Sequence, residues 1–455
     1  MIESHEKEIA RYCVDFAVKH GAAAARVNLS KSGIDSCSML NGELDKVTHS
    51  ADRSIYLYLF VDGRYGTFST NMLDKNELEG FMLKAIDMVR MLGEDPGRKL
   101  PDPARTEKGA LTGRELGLYD EALERSGSDS RLNTAKTMSI WNQANGQAES
   151  FRMISEECEY SESYEDNLTV DSNGFEGRHT ESNFSMFAEV TIQDMEGNKY
   201  SGYWWDSNFR KEEADPSQCS RKALEKAVAQ IGPKPRRSGR TRMVVDSSVA
   251  SRLVAPVINA LNSSSLQQRL SFLEGSLGKK LFSEGMTLMD LPRTPGKNGS
   301  RLYDSEGVAT EDAPVIENGV VRRYFINTCN AAKLGMEPTV EDISRPCLMP
   351  FVKGKELDGE KNSVSLKDIL QTCRNGILVT GFNGGNSNPV TGDFSFGIEG
   401  FAFSRGKITH PVREMLITGN LTELWNNLIA AGTDARPSSR WQIPSIAFED
   451  VSFSA

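Results

Sequence analysis

The sequence predicts an α+β protein of two domains, an N-terminal sheet with packed helices over residues 1–231 and a C-terminal β-rich barrel or sandwich-like domain over 241–455. Three observations carry that expectation. A chain of 455 residues exceeds what one hydrophobic core usually organises. Helical and strand periodicities alternate through the first half, and strands and turns dominate the end. Between them, "GPKPRRSGR" at 232–240 combines two prolines, two glycines and clustered arginines, which disfavours any regular element.

In "HEKEIARYCVDFAVKHG", Ile9, Tyr12, Cys13, Phe16 and Ala17 recur at helical spacing and Gly21 supplies a stop. "RVNLSKSG" and "KVTHS" read as strands, and "RSIYLYLFVDGRYGTFST" as a hairpin about Asp62-Gly63. In "LDKNELEGFMLKAIDMVRML", Asp74 can cap a helix while Glu77 completes the capping-box spacing. Residues 95–118, rich in Pro, Gly and charge, read as a surface connection, and a helical segment follows at 130–146. The β-rich region is expected from Asn167, with turns at Asn173-Gly174 and Glu196-Gly197, before "CSRKALEKAVAQIG" closes the domain as an amphipathic helix.

Beyond the break, "RMVVDSS" reads as a buried strand and "VASRLVAPVINALNSSSLQQRL" as a helix that Pro256 should kink or delay. Its apolar face comprises Val249, Leu253, Val254, Val257, Ile258 and Leu261. "APVIENGVVRRYFIN" is a hairpin about Asn318-Gly319, a pair suited to the positive φ values of a type I′ turn.

Composition narrows function. A net charge of −10 with no long Lys/Arg tract argues against an electrostatic grip on nucleic acid. The charged N-terminus lacks an apolar signal core, and "SIYLYLFV" is too short to span a bilayer, so a cytoplasmic protein is expected. Seven scattered cysteines without a Cys-x-x-Cys pair read as reduced thiols.

The richest local signal is "GFNGGNSNPVTGDFSFGIEGF", residues 381–401. Its glycines do not fit G-x-G-x-x-G, there is no G-x-x-x-x-G-K-[ST], and Gly354 to Gly359 is followed by Glu360 rather than Lys. A nucleotide cradle is therefore not expected. Two readings remain: tight turns feeding a barrel or sandwich, or backbone access for a peptide or partner through Asn383, Gly384, Gly385, Asn388 and Asp393. Asp393 itself could bind a substrate amine or serve the turn. His410 and His179 read as surface or turn residues rather than ligands, and Trp204 and Trp205 as core packing or a peptide platform. A serine hydrolase is unsupported, since no G-x-S-x-G elbow is present.

"GGNSNPVTGDFSFGIEGF", "GKITHPVREMLITGNLTELWNNL" and "YDSEGVATEDAPVIENGVVRRYFINTCNAAKLG" together resemble the C-terminal signature of the TldD/PmbA family, and "VDGRYGTFST" with its following helix resembles that family's N-terminal domain. The resemblance implies a two-domain, cytoplasmic, dimer-forming protein of a family known both as modulators of DNA gyrase and as metallopeptidases. In it a TldD-type subunit carries zinc on a His-Glu-x-x-x-His helix with a cysteine near the C-terminus, and a PmbA type, also called TldE, pairs with it. Two imidazoles and a thiolate would hold Zn²⁺ with one position open to water, and the glutamate would take that water's proton.

The chain departs from that pattern. Counting back from "FLEGSLGKKL" places Val254, Ala255 and Asn259 at the metal-helix positions. The five histidines stand at 5, 20, 49, 179 and 410, and His5-Glu6 is followed by Ile9 and Ala10 where a second histidine is needed. The segment from "AAGTDARPSSRWQIP" onward has no cysteine. The resemblance is thus to the PmbA type: no catalytic residue and no metal in this subunit, zinc in a TldD-type partner, and unfolded peptide as substrate. The alternative expectation is a metal-free homodimer that binds peptide or regulates, without direct contact to DNA or membrane.

Overall fold

The computed structural model describes residues 1–144, 150–234, 237–357 and 363–455. Pro235 and Arg236 of the expected break at 232–240, and the end of the helix expected to reach 146, lie outside the described residues. The chain divides into two units, one of residues 1–231 with 294–310 and one of 232–293 with 311–455. The α+β class is as expected.

The first unit is built on a six-stranded antiparallel sheet. Its strands are β1 (Ala24–Leu40), β2 (Glu43–Val61), β3 (Arg64–Thr70), β4 (Phe151–Asp171), β5 (Glu176–Asp194) and β6 (Lys199–Asn208), in the order β3-β2-β1-β4-β5-β6. β1 and β2 are single long strands rather than the short segments expected, joined at Asn41-Gly42, whose φ values of 51° and 80° suit a type I′ turn. The expected hairpin at Asp62-Gly63 forms with φ values of 49° and 71°.

Side-chain alternation puts one face of the sheet under four helices. Helices Ser4–Lys19 and Lys75–Arg90 cover one end, where Ala10, Cys13 and Met82 pack with Leu29, Ile55, Leu57 and Leu168. Asp74 caps the second of these, its Oδ1 accepting from the N–H groups of Asn76 and Glu77. Helices Ser128–Met138 and Cys219–Ala229 cover the other end, over Cys158, Tyr160, Phe184, Met186 and Val190. The segment expected as one helix at 130–146 is interrupted at Ser139, whose hydroxyl donates to Glu156 instead of continuing a helix.

β4 corrects the sequence reading, which began the β-rich region at Asn167 rather than at Phe151. The intervening acids look like solvated loop, yet Glu156, Glu162 and Asp166 point to the helix side and are at most 2% exposed. Each is satisfied. Glu156 accepts from Ser139 and from the N–H groups of Ile140 and Trp141. Glu162 accepts from Tyr160, Ser126, Arg131 and Lys211. Asp166 takes Arg178 in a bidentate fork at 2.7 and 2.6 Å, the Thr180 hydroxyl at 3.0 Å and the Ile2 N–H at 2.7 Å.

The connection at 95–118 is irregular, as expected, and also shields a strand edge. Its carbonyls at Ala110, Gly113 and Leu118 accept from the N–H groups of Arg178, Thr180 and Ser182 on β5, where β6 does not reach. Residues 294–310 are pinned to the same unit. Arg26 donates to the carbonyls of Ser305 and Glu306, and Tyr303 meets Phe175 edge-on at 5.3 Å.

In the second unit a closed ring of five strands resolves the barrel-or-sandwich alternative in favour of a barrel. β7 (Gly239–Val245) pairs parallel with Gly376–Ser387 and antiparallel with Ile446–Ser454, while Asp393–Ser404 and Lys407–Asn420 complete the circuit. Strands Leu428–Ala431 and Phe351–Val352 extend it. A second sheet holds Leu288–Asp290, Ala313–Glu317, Val320–Val321 and Pro346–Leu348. Its expected hairpin turns at Asn318 and Gly319, with φ values of 48° and 78°.

The helix expected over 249–270 is two helices, Ser251–Ala260 and Ser263–Gln267, because Asn262 breaks out to cap the second. Pro256 lies inside the first without ending it. Trp425, fully buried, donates its indole N–H to the Leu253 carbonyl at 3.3 Å and so ties that helix to the barrel strand that holds Phe448.

Candidate functional site

Amphipathicity sets the orientation of helix Ser251–Ala260. Leu253, Val254, Val257 and Ile258 are buried, which turns Arg252, Ala255, Pro256 and Asn259 the other way. That outward face lines an open cavity of about 300 Å³, whose other walls are Ser265, Leu270 and Phe272 and Asn386, Ser387, Pro389 and Phe396. The helix carrying the positions at issue and the glycine-rich stretch therefore meet at one cavity.

The stretch combines a bulge and a turn. Phe382 pairs with Ile398 and Gly385 with Phe396, so Asn383 and Gly384 stand opposite Gly397 alone. Gly385 has φ +86°, and a Cβ there would lie 2.0 Å from the Ser395 carbonyl oxygen. Its own carbonyl accepts from Arg252 Nη2 at 3.2 Å, and the same guanidinium lies 5.3 Å from the Phe396 ring centroid. Bulge and helix are joined through that one side chain.

Asn388 organises the turn that follows. Its N–H donates to the Asp393 carbonyl at 2.7 Å, and its Oδ1 accepts from the N–H groups of Val390 and Thr391. Asp393 accepts from Asn420 Nδ2 at 3.0 Å and from the Thr391 hydroxyl at 2.7 Å, and these two bonds hold its carboxyl below the usual carboxylate range. Asp393 thus serves the turn. Asn383 is exposed and donates to Glu399 at 3.4 Å.

Of the contact residues proposed from sequence, Asn383, Gly384, Gly385, Asn388 and Asp393 shape the bulge and turn, while their neighbours Asn386, Ser387 and Pro389 line the cavity. Arg252, Leu270 and Phe272 come from a segment more than a hundred residues away, and no local pattern announces them. Phe272 is tied in by its N–H, which donates to the Pro389 carbonyl at 2.8 Å.

The donor chemistry at the metal-helix positions does not suit zinc. Val254 is fully buried and carries only methyl groups, and Ala255 and Asn259 bring a methyl and a neutral amide to the cavity. Among the described residues no group of three His, Cys, Asp or Glu side chains is placed to hold a metal ion. All seven cysteines are buried single thiols, and burial pushes Cys13 and Cys158 up to about 12 and Cys373 to about 11.

The other sequence candidates lie apart. His410 sits on the barrel strand Lys407–Asn420 beside the Thr409 hydroxyl, and His179 on β5 beside Glu181 at 3.3 Å. On β6, Trp204 packs on the helix-side core beneath Lys222 and Lys226, whereas Trp205 points to the opposite face.

Comparison with known proteins covers most of the chain. Residues 26–89, 123–231 and 238–455 match the models of PmbA/TldA metallopeptidase domain 1, the PmbA/TldA metallopeptidase central domain and the PmbA/TldA metallopeptidase C-terminal domain. The chain is 24% identical to the metalloprotease PmbA of Escherichia coli O157:H7, covering 94% of this chain and 91% of that one. It is also 24% identical to a metalloprotease PmbA homolog of Haemophilus influenzae, with coverage of 100% and 98%. A crystal structure from Bacteroides thetaiotaomicron, named as a candidate modulator of DNA gyrase, superposes with a TM-score of 0.93 at 39% identity over the whole of both chains. TldE from Thermococcus kodakarensis shares the fold, with a TM-score of 0.80 at 18% identity over 98% of this chain and 100% of that one.

Proposed function

Because the chain belongs to the PmbA/TldD metallopeptidase family, we propose that it is a PmbA/TldE-type subunit that holds unfolded peptide for a metal-bearing TldD-type partner and leaves hydrolysis to that partner. The observation that carries this reading is the cavity face of helix Ser251–Ala260, where Arg252, Ala255, Pro256 and Asn259 offer no imidazole, thiolate or carboxylate. Zinc and the water-activating glutamate then belong to the partner's corresponding helix. The cavity retains what peptide binding uses, apolar walls at Leu270, Phe272 and Phe396 with amides at Asn259 and Asn386 to orient a main chain. Asn383, Gly384 and Gly385 contribute an exposed bulge beside the helix, where an extended peptide can lie.

The seven buried thiols accord with a cytoplasmic setting, and among the described residues no helix is long and apolar enough to cross a membrane. A net charge of −10 speaks against direct DNA contact, so any influence on gyrase is indirect in this reading. A self-paired, metal-free peptide binder is the competing assignment.

Peptidase activity on an unfolded polypeptide, with metal content by mass spectrometry, separates them. The expected result is no stoichiometric zinc and no cleavage by the protein alone, with cleavage appearing when a TldD-type subunit is added. Zinc binding and cleavage by the protein alone overturn the non-catalytic assignment. A folded homodimer that binds peptide and leaves a TldD-type subunit unaffected favours the self-paired form. As a further prediction, Asn259→Trp fills the cavity and is expected to weaken peptide binding about tenfold, read by fluorescence anisotropy.

A further inference from the structure

The first unit's sheet has a second face, opposite its helices, made of the alternate residues of each strand. Across five strands Thr48, Ser36, Ser161, Ser185 and Ser207 lie side by side. Next to that hydroxyl row, Phe187 pairs with Trp205 and Glu189 with Tyr203, and all three rings are at least 37% exposed. Carboxylates surround them: Glu159 stands opposite Phe187, Glu157 opposite Glu189, and Glu165 opposite Glu181.

Two of these are like charges in direct cross-strand register, an arrangement that opposes sheet stability. Among the described residues no lysine or arginine pairs with Glu157, Glu159, Glu165 or Glu189. The exposed rings of Phe187, Trp205 and Tyr203 stand among these carboxylates, so the face brings like charges and aromatic surface together.

A cation between Glu157 and Glu189 offsets their repulsion and lies against aromatic rings whose faces attract it. Tyr203 already carries one ammonium, that of Lys226, 5.7 Å from its ring centroid. We infer that this face takes a lysine- or arginine-bearing segment of unfolded polypeptide, seated across Glu157, Glu159, Glu189, Phe187 and Trp205. The inference rests on the reading of the chain as a peptide-holding subunit and names the substrate class that subunit prefers. Neutral and acidic segments lack the complementary charge.

Anisotropy with three fluorescein-labelled unstructured peptides tests it: one lysine-rich, one with its lysines replaced by glutamine and one by glutamate. The expected order is lysine tightest and glutamate weakest, with the preference falling as salt rises. The double variant Glu157→Gln/Glu189→Gln, and separately Trp205→Ala, should weaken the lysine peptide about tenfold while leaving the glutamine peptide unchanged. The double variant removes a repulsion, so its thermal midpoint should hold or rise, which controls for misfolding. Equal binding of all three peptides, or variants that fail to alter the lysine preference, overturns the inference. If that equal binding is still lost in Asn259→Trp, the cavity reading survives alone; if no peptide binds at all, both fall.

Discussion

Asp166→Asn is expected to destabilise the first unit by about 3–5 kcal/mol, the range for removing one partner of a buried ion pair. The carboxylate is fully buried, and asparagine keeps its shape while removing the charge that Arg178 faces. Four N–H or O–H groups converge on it, two from Arg178 and one each from Ile2 and Thr180, and Arg178 also donates to the Ile2 carbonyl, which joins the start of the chain to the centre of the sheet. Burial raises the carboxyl pKa, but the bonds from Arg178, Ile2 and Thr180 outweigh it and leave the group below its ordinary value. A folded-state value below the unfolded one adds stability above the unfolded pKa and loses it as pH falls through the folded pKa. Urea midpoints of wild type and variant should therefore differ most at neutral pH and converge in acid. A constant gap across that range refutes the ionic account.

Gly385→Val is expected to open the barrel hairpin. The backbone at φ +86° disfavours any L side chain by about 1–2 kcal/mol. The new Cβ also meets the Ser395 carbonyl at 2.0 Å and Phe396 Cα at 2.7 Å, backbone atoms that cannot swing aside, adding about 1–3 kcal/mol. Gly384→Val separates the two effects, since φ is +84° there but nothing lies within 4 Å of its Cβ. It should lose only the backbone part and keep the barrel, so it is the better probe of peptide contact. Unchanged partner-dependent proteolysis in folded Gly384→Val removes the bulge from the substrate path. Equal stability losses in both variants would show that the Ser395 contact does not matter.

Turn chemistry made much of this fold legible. Asp62-Gly63 and Asn318-Gly319 carry their conformations in two residues, and the same signal stood unused at Asn41-Gly42, which joins two strands of 17 and 19 residues. The first part of β4 was illegible because "SEECEYSESYED" reads as solvated in any window. Glu162 is neutralised by Arg131 and Lys211 and Asp166 by Arg178, while Glu156 takes neutral donors from Ser139, Ile140 and Trp141; these partners lie 12 to 49 residues away, and burial of that kind has no local signature. The candidate site divides in the same way. The glycine-rich stretch was visible, while Arg252 and Phe272, which give the cavity its floor and its charge, become neighbours only when the barrel forms.

That barrel sets a timing problem for synthesis on the ribosome. β7 has its ladder partners at Ile377–Val379 and Ile446–Phe453, so the first strand made waits for partners more than a hundred and some two hundred residues downstream. At translation rates of about 5–20 residues per second, Val244 waits roughly seven to twenty-seven seconds for Leu378 and roughly ten to forty for Ala447. Until the first partner is made an apolar strand with two open edges is exposed to other nascent chains, and holdase chaperones have their clearest opportunity to act on it.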